Sequence, residues 1–246
     1  MVYYAGNILK YEVLRDYPHI QAGISTRYFG NLGYKNNTYS ERARARENFF
    51  HSAGLFLRDA VLLQQTHSNN IYIATASDRG KGVYSQKDAI PNADGLITAD
   101  SKLILAIIVA DCVPVYLFEP EKNIIGLIHS GREGTGKNIV GAAVELMSDE
   151  FLVNSGRIIA ILGPSIPSCC YKINTTIADQ FGWQNCLERD GGIFLDIQSC
   201  IKTQLKNRGV YKIYDTGICT CCNHNFFSYR REGENFNSMI AYISMT

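Results

Sequence analysis

The chain has 246 residues, enough to bury most of its apolar surface in one large domain without disulfide staples. At 46% hydrophobic and 19% charged residues it reads as an ordinary soluble globular protein. With 24 basic side chains against 23 acidic ones there is no global field, which argues against sequence-independent binding to nucleic acid or to a membrane surface.

Taken in chain order, the first element is a weakly patterned helix over 41–53. Apolar runs rich in β-branched residues and bounded by turn signals then predict strands over 61–65, 71–76, 95–98, 103–110, 114–118 and 124–128, several apolar throughout and so buried on both faces. From 136 to 152, Ile139, Ala143, Met147 and Phe151 recur at helical spacing beside Val140 and Val144, with Thr135 as the expected N-cap. Beyond it come a strand over 158–162, helices over 175–181 and 197–207, the latter closed by Gly209, and strands over 211–214 and 238–244. Strands and helices mix without regular alternation and no interdomain linker or repeat interrupts them, so the expected class is α+β in a single domain over 1–246.

Residues 1–11 lack the basic start and continuous apolar stretch of a signal peptide, and no later run is long enough to span a bilayer. A cytoplasmic location is expected, with the eight cysteines reduced. Among these, Cys219, Cys221 and Cys222 with His224 raise a second, structural metal site, but only one Cys-x-x-Cys pair is visible there, and packing thiols are the preferred reading.

Three residues stand where apolar strands meet polar or glycine-containing turns: His67, Cys112 and His129. Two imidazoles and a thiolate are the donor set of an open zinc site, in which a fourth position is left for water or substrate. Cys112 and His129 alone would make a nucleophile and base, and His67 is the discriminator, because a dyad has no use for a second imidazole. The segment Gly131-Arg132-Glu133-Gly134-Thr135-Gly136-Lys137 fits G-x-x-x-x-G-K, yet Asn138 follows where a P-loop needs a magnesium-binding hydroxyl. A nucleotide-triphosphatase is therefore rejected, leaving a glycine-rich turn whose backbone amides suit an anion beside His129.

Several blocks together resemble a known family: Gln65-Thr66-His67, Asn92-Ala93-Asp94-Gly95, Ala110-Asp111-Cys112-Val113-Pro114, Ile128-His129-Ser130-Gly131, Gly163-Pro164-Ser165 with Cys169-Cys170-Tyr171, and Phe226-Phe227-Ser228-Tyr229-Arg230-Arg231. In this order they resemble the laccase-domain family of YfiH- and YlmD-like proteins, also called polyphenol oxidase or peptidoglycan editing factor. The resemblance implies a single-domain α+β fold with mixed sheets, similar to that of cysteine-dependent toxin deamidases, and a zinc held by His67, Cys112 and His129. It further implies purine nucleoside chemistry: phosphorolysis of adenosine, inosine and methylthioadenosine, and deamination of adenosine. The expected partners are thus a small-molecule nucleoside and phosphate. Two departures bear on substrate preference. The family's His-Ala-Gly-Trp-Arg-Gly-Thr block reads His129-Ser130-Gly131-Arg132-Glu133-Gly134-Thr135 here, and the glycine-rich loop after Ser25-Thr26-Arg27 is shortened, which predicts a missing stretch of pocket wall.

Within this frame Asp111 and Glu133 are the expected proton donors beside Cys112 and His129, Arg27, Arg230 and Arg231 the expected anion holders, and the Phe226, Phe227 and Tyr229 cluster the source of a base-stacking ring. A multicopper centre needs far more imidazole than the five histidines 19, 51, 67, 129 and 224 supply, so copper is expected only as an adventitious occupant of the zinc site. Two alternatives stay open: a Cys112–His129 cysteine hydrolase or amidase acting on peptidoglycan precursors, and a non-catalytic nucleotide-binding protein.

Overall fold

Alternation of side chains along three central strands organises the molecule. In the computed structural model, which describes residues 2–246, the chain forms β1 (Val2–Ala5), β2 (Ile8–Tyr11), β3 (Ile20–Ser25), α1 (Tyr39–Ser52), β4 (Ala60–Val61), β5 (Ile71–Ile73), β6 (Gly95–Thr98), β7 (Ile104–Val109), β8 (Val113–Glu119) and β9 (Ile124–Ser130). It continues through α2 (Arg132–Gly136), α3 (Ile139–Phe151), β10 (Ile159–Leu162), β11 (Lys172–Ile173), α4 (Thr175–Phe181), β12 (Cys186–Arg189), β13 (Gly192–Leu195), α5 (Ile197–Asn207), β14 (Lys212–Asp215), α6 (Tyr229–Glu232) and β15 (Met239–Met245). Two six-stranded mixed sheets result, ordered β1-β2-β3-β15-β7-β4 and β14-β10-β8-β9-β6-β5, with a small sheet β11-β13-β12 beside them.

Because successive strand residues point to opposite faces, each fully apolar strand serves two cores. Leu105 and Ile107 of β7 meet Tyr116, Phe118, Ile125 and Leu127 of the other sheet in the central layer. Their neighbours Ile104 and Ala106 turn outward to Phe49 and Phe50 of α1. On the opposite flank Val115, Leu117 and Ile128 pack against Ile139, Val140 and Val144 of α3 and Ile201 and Leu205 of α5. This explains why the central runs lack polar alternation, and it bears out the expected α+β class. No helix among the described residues is long and apolar enough to cross a membrane.

The expected helix over 136–152 is α3, which starts at Ile139 after the separate short α2. Asn138 takes a left-handed conformation (φ 60°), which asparagine tolerates better than most residues, and breaks the run between α2 and α3. Thr135 is accordingly no N-cap: it lies buried in α2, its hydroxyl 2.8 Å from that of Ser130. The expected strand over 61–65 ends at Val61 and leaves only a bridge from Leu63 to Ile90, because the side chain of Gln65 takes over as a mimic of the strand. Its amide donates to the carbonyl of Ile108 and its oxygen accepts from the Ile108 amide, both at 2.8 Å. The three N-terminal strands and the small sheet carry no clear apolar run, and they were not anticipated.

After the shortened loop Tyr34 and Lys35 line the cavity, held by a buried cation: Arg46 of α1 donates to the carbonyls of Leu32 at 2.9 Å, Gly82 at 3.0 Å and Val83 at 2.8 Å, beneath the Tyr34 ring.

Candidate functional site: a three-donor pocket

Strand register creates the site. In the β8–β9 ladder Pro114 faces His129 and Val113 faces Ser130, so Cys112, one residue before β8, comes opposite Gly131, one residue past β9. In the β6–β9 ladder Gly95 faces Ile128, and the pairing continues as the His129 amide donates to the Asp94 carbonyl at 2.7 Å. Cys112 and Asp94 therefore flank His129 from two neighbouring strands. His67 arrives from the loop before β5 in a left-handed conformation (φ 58°). The ligand atoms of His67, Cys112 and His129 lie within 4.8 Å of one another, and the two imidazoles meet edge to face at 4.9 Å between centroids.

Asp94 is the organising residue that motif reasoning left without a role. Fully buried, it accepts from the amides of Thr66 at 3.1 Å, His67 at 3.0 Å and Ser68 at 2.7 Å, and from the Ser68 hydroxyl at 2.8 Å. Its Oδ1 stands 2.9 Å from Nδ1 of His129, which leaves Nε2 as that ring's free nitrogen. One carboxylate thus shapes the loop that presents His67 and aims His129, the arrangement that orients a metal-bound imidazole. Burial opposes ionisation of Asp94, but the hydrogen bonds from His129 and Ser68 outweigh it and hold the carboxyl well below its usual range. Burial likewise pushes the Cys112 thiol up, and the adjacent His129 and His67 rings overcome this and bring it down to about 6. For His129 burial acts downward, while the Cys112 sulfur and the Asp94 carboxylate raise it to about 9.

The donor set fits a metal ion. A Cβ built on Gly131 would lie 2.6 Å from Cys112 Sγ and 3.2 Å from Cδ2 of His67, so the cradle between the donors stays open only because residue 131 has no side chain. We expect Gly131→Ala to lower metal occupancy and activity at least about 10-fold, the scale of losses when ligand orientation is disturbed; zinc content and nucleoside turnover measured on the same preparation check this. A multicopper centre does not fit: His19 contacts Asn123, His51 lies in α1, and His224 contributes its carbonyl to Arg27, all outside the three-donor group.

A cavity of about 660 Å³ opens over the three donors. Ile108, Ile166 and Ile177 give it apolar wall, Tyr34, Tyr171 and Tyr229 give it aromatic rings, and Lys35, Arg132 and Arg230 bring positive charge. Burial, with the nearby Cys112 sulfur, raises Tyr171 to about 12, so its hydroxyl keeps its proton as a donor at neutral pH.

The remaining sequence expectations divide. Arg230 lines the cavity, its guanidinium bonded to the carbonyls of Cys170 and Lys172 at 3.3 and 3.0 Å. Arg27 does not line it: it lies over the Phe227 ring and pairs with Glu232. Arg231 is also elsewhere, spent on the carbonyls of Thr220 and Cys221, both at 2.8 Å, and of Phe226. Glu133 turns to the surface and pairs with Arg132 at 2.6 Å, outside the cavity lining.

Asp111 borders the cavity, and its carboxylate is engaged by its own neighbours, accepting from Thr220 Oγ1 at 2.6 Å, Ser228 Oγ at 3.0 Å and the Arg230 amide at 2.7 Å. Held at φ 83°, it ties the segment bearing Thr220 and Arg230 to the residue beside Cys112. Phe226 and Phe227 are buried in the central core, and Tyr229 alone of that cluster faces the cavity. Cys219 and Cys222 do not group with Cys221 and His224; Cys169 and Cys170 lie beside them instead.

Fold and site together define an α+β protein with an open, three-donor metal-binding pocket placed between strand ends. The chain belongs to the family described as multi-copper polyphenol oxidoreductase laccase, whose model matches residues 20–246. It is 33% identical over 196 residues, 74% of this chain and 71% of the relative, to a protein named purine nucleoside phosphorylase YlmD in Geobacillus stearothermophilus. The Bacillus subtilis protein of the same name is 28% identical over 95% of this chain and 89% of its own length. Among solved structures, Bacillus licheniformis hypothetical protein YfiH superposes with a TM-score of 0.94 at 26% identity, covering 100% of this chain and 99% of that one. The YlmD structure from Geobacillus stearothermophilus gives 0.93 at 28% identity, with 99% and 97% covered.

Proposed function

We propose that this chain is a zinc-dependent purine nucleoside phosphorylase that acts on adenosine, inosine and methylthioadenosine and also deaminates adenosine. The observation that carries the proposal is the convergence of His67, Cys112 and His129, with Asp94 behind them, at the floor of a cavity that holds both aromatic and cationic walls. The names of the relatives support nucleoside phosphorolysis. When bound, zinc supplies Lewis-acid polarisation and a bound water of lowered pKa.

In this reading Tyr171 and Tyr229 flank the base, and Arg132 and Arg230 hold phosphate against the anomeric carbon of the ribose. A phosphate oxygen forms the new bond to that carbon as its bond to the purine nitrogen breaks, and the electron pair leaves with the base. The Tyr171 hydroxyl, still protonated at neutral pH in the cavity wall, then protonates the leaving purine. Nucleoside and phosphate are the partners this requires, and the cytoplasm is the compartment that supplies both.

A second reading has a specific observation in its favour. Without metal, Asp94, His129 and Cys112 line up as carboxylate, imidazole and depressed thiol, the order of a cysteine hydrolase. Zinc analysis combined with a nucleoside panel, run with and without phosphate, separates the two. Phosphate-dependent release of adenine, lost on chelation and restored by zinc, is expected. Activity that survives chelation and is lost on thiol alkylation would overturn the metalloenzyme in favour of the hydrolase. Tight nucleoside binding with no turnover would overturn both in favour of a non-catalytic binding protein.

A further inference from the structure

Away from the cavity floor, four sulfurs gather from two remote segments. The Sγ atoms of Cys169, Cys170, Cys219 and Cys222 all lie within 4.8 Å of one another, with 3.7 Å between Cys169 and Cys170, 3.9 Å between Cys169 and Cys222, and 3.3 Å between Cys170 and Cys222. Four thiolates set tetrahedrally about zinc at Zn–S ≈ 2.3 Å stand about 3.8 Å apart along each edge. The observed separations bracket that edge. They are far from the 2.03–2.05 Å of a disulfide bond, and four sulfurs all this close do not suit a polynuclear iron–sulfur cluster, whose cysteines are divided between two or more irons.

The backbone prepares this arrangement. Ser165 and Cys219 form a parallel bridge, with the Ser165 amide donating to Ile218 at 3.1 Å and the Thr220 amide to Ser165 at 2.9 Å, so both cysteine pairs leave from a fixed junction. Cys219-Thr220-Cys221-Cys222 is a Cys-x-x-Cys turn in which the Cys222 amide donates to Cys219 Sγ at 3.3 Å, a contact that favours thiolate over thiol. On the other side the Cys170 and Tyr171 amides both donate to the Pro167 carbonyl at 3.0 Å, folding Cys169 and Cys170 into a tight turn.

Charge is provided for as well. Zinc with four thiolates carries a net charge of about −2, and three guanidiniums hold the surrounding carbonyls: Arg189 that of Cys169 at 2.9 Å, Arg230 that of Cys170 at 3.3 Å, and Arg231 those of Thr220 and Cys221 at 2.8 Å.

We infer that Cys169, Cys170, Cys219 and Cys222 form a second, structural zinc site, independent of the His67, Cys112 and His129 site. Binding is an exchange without electron transfer: four Zn–S bonds form as the S–H protons leave to solvent. With all four positions taken by sulfur the ion has no open coordination and does no chemistry. Its effect is positional. It staples the turn carrying Tyr171 to the turn carrying Thr220, whose hydroxyl holds Asp111 beside Cys112, and so it sets one wall of the cavity.

The test counts zinc in the full chain with Cys112→Ser, which removes the sulfur donor of the other site. Purified under reducing conditions, this variant is expected to keep about one zinc per chain, with an X-ray absorption spectrum fitted by sulfur alone at about 2.3 Å. Cobalt substitution should give the ligand-field bands of a tetrahedral tetrathiolate. Combining Cys169→Ser and Cys222→Ser with an intact Cys112 should remove the sulfur-only component and leave the mixed nitrogen and sulfur one. Should that double variant fail to fold, mercurial titration of the Cys112→Ser protein decides the matter, since one zinc should be released as four thiols react. A zinc-free Cys112→Ser protein, nitrogen ligands in its spectrum, iron in place of zinc, or a disulfide among the four cysteines by mass spectrometry would each overturn the assignment.

Discussion

Cys112→Ala is expected to abolish phosphate-dependent adenine release and to strip the cavity metal while leaving the fold intact. The side chain is small and lines the floor of an open cavity, so its removal leaves no sealed void. What is lost is the only sulfur among the three donors. Metal polarisation contributes several kcal/mol to a transition state, and at 1.36 kcal/mol per decade that is on the order of 10³-fold or more in kcat/KM. Steady-state kinetics with zinc analysis and a circular dichroism spectrum of the same sample check all three parts. Near-native turnover in a metal-free, folded Cys112→Ala protein would rule out both the zinc mechanism and the cysteine nucleophile.

Asp94→Ala should damage stability and chemistry together, because one buried carboxylate serves both. Its removal leaves the Thr66, His67 and Ser68 amides without their acceptor and frees His129 from its orienting bond. Breaking a buried, hydrogen-bonded ionic pair on one side costs about 3–5 kcal/mol, which for a chain of this length lowers Tm by roughly 10 °C. Differential scanning calorimetry measures this, and an unchanged Tm would contradict the organising role.

The pH dependence of that stability has a definite sign. The folded carboxyl titrates below its unfolded value of about 3.9, so its contribution is full above that pH and is lost as pH falls through the folded value. The Asp94→Ala protein should therefore show a flatter acid limb than the parent. Asp94→Asn, which keeps the shape and removes the charge, is expected to cost about 10–100-fold in metal affinity.

Much of the site was legible because its chemistry is local. His67, Cys112 and His129 stand at apolar-to-polar transitions that mark strand ends, and imidazole and thiolate announce metal chemistry wherever three of them meet. The α+β class was readable for the same reason, since long β-branched runs and one clean helical period survive without tertiary information. Asp94 was not legible: a lone aspartate before a glycine reads as a turn, and only the β6–β9 register sets it against His129. Nearness in sequence also says nothing about direction. Asp111 turns to Thr220 and Ser228 and Glu133 to solvent, although each neighbours a site residue.

The arginines teach the same lesson at longer range. Arg27, Arg230 and Arg231 look equivalent as free cations, yet the carbonyl acceptors that tertiary structure brings to each decide that only Arg230 of the three lines the cavity. The cysteines show it most sharply. One Cys-x-x-Cys pair argued against a second metal site, and the missing pair lay some 50 residues upstream, brought in by a single bridge between Ser165 and Cys219.

The sequence by itself determined which strands are buried on both faces, that the class is α+β, and which three potential ligands stand at strand ends, because hydrophobic period and ligand type are properties of short segments. Tertiary structure alone decided which carboxylate orients His129, which cation faces the cavity, and which four cysteines meet. Each of those is set by strand register and loop closure, which join residues far apart in the chain.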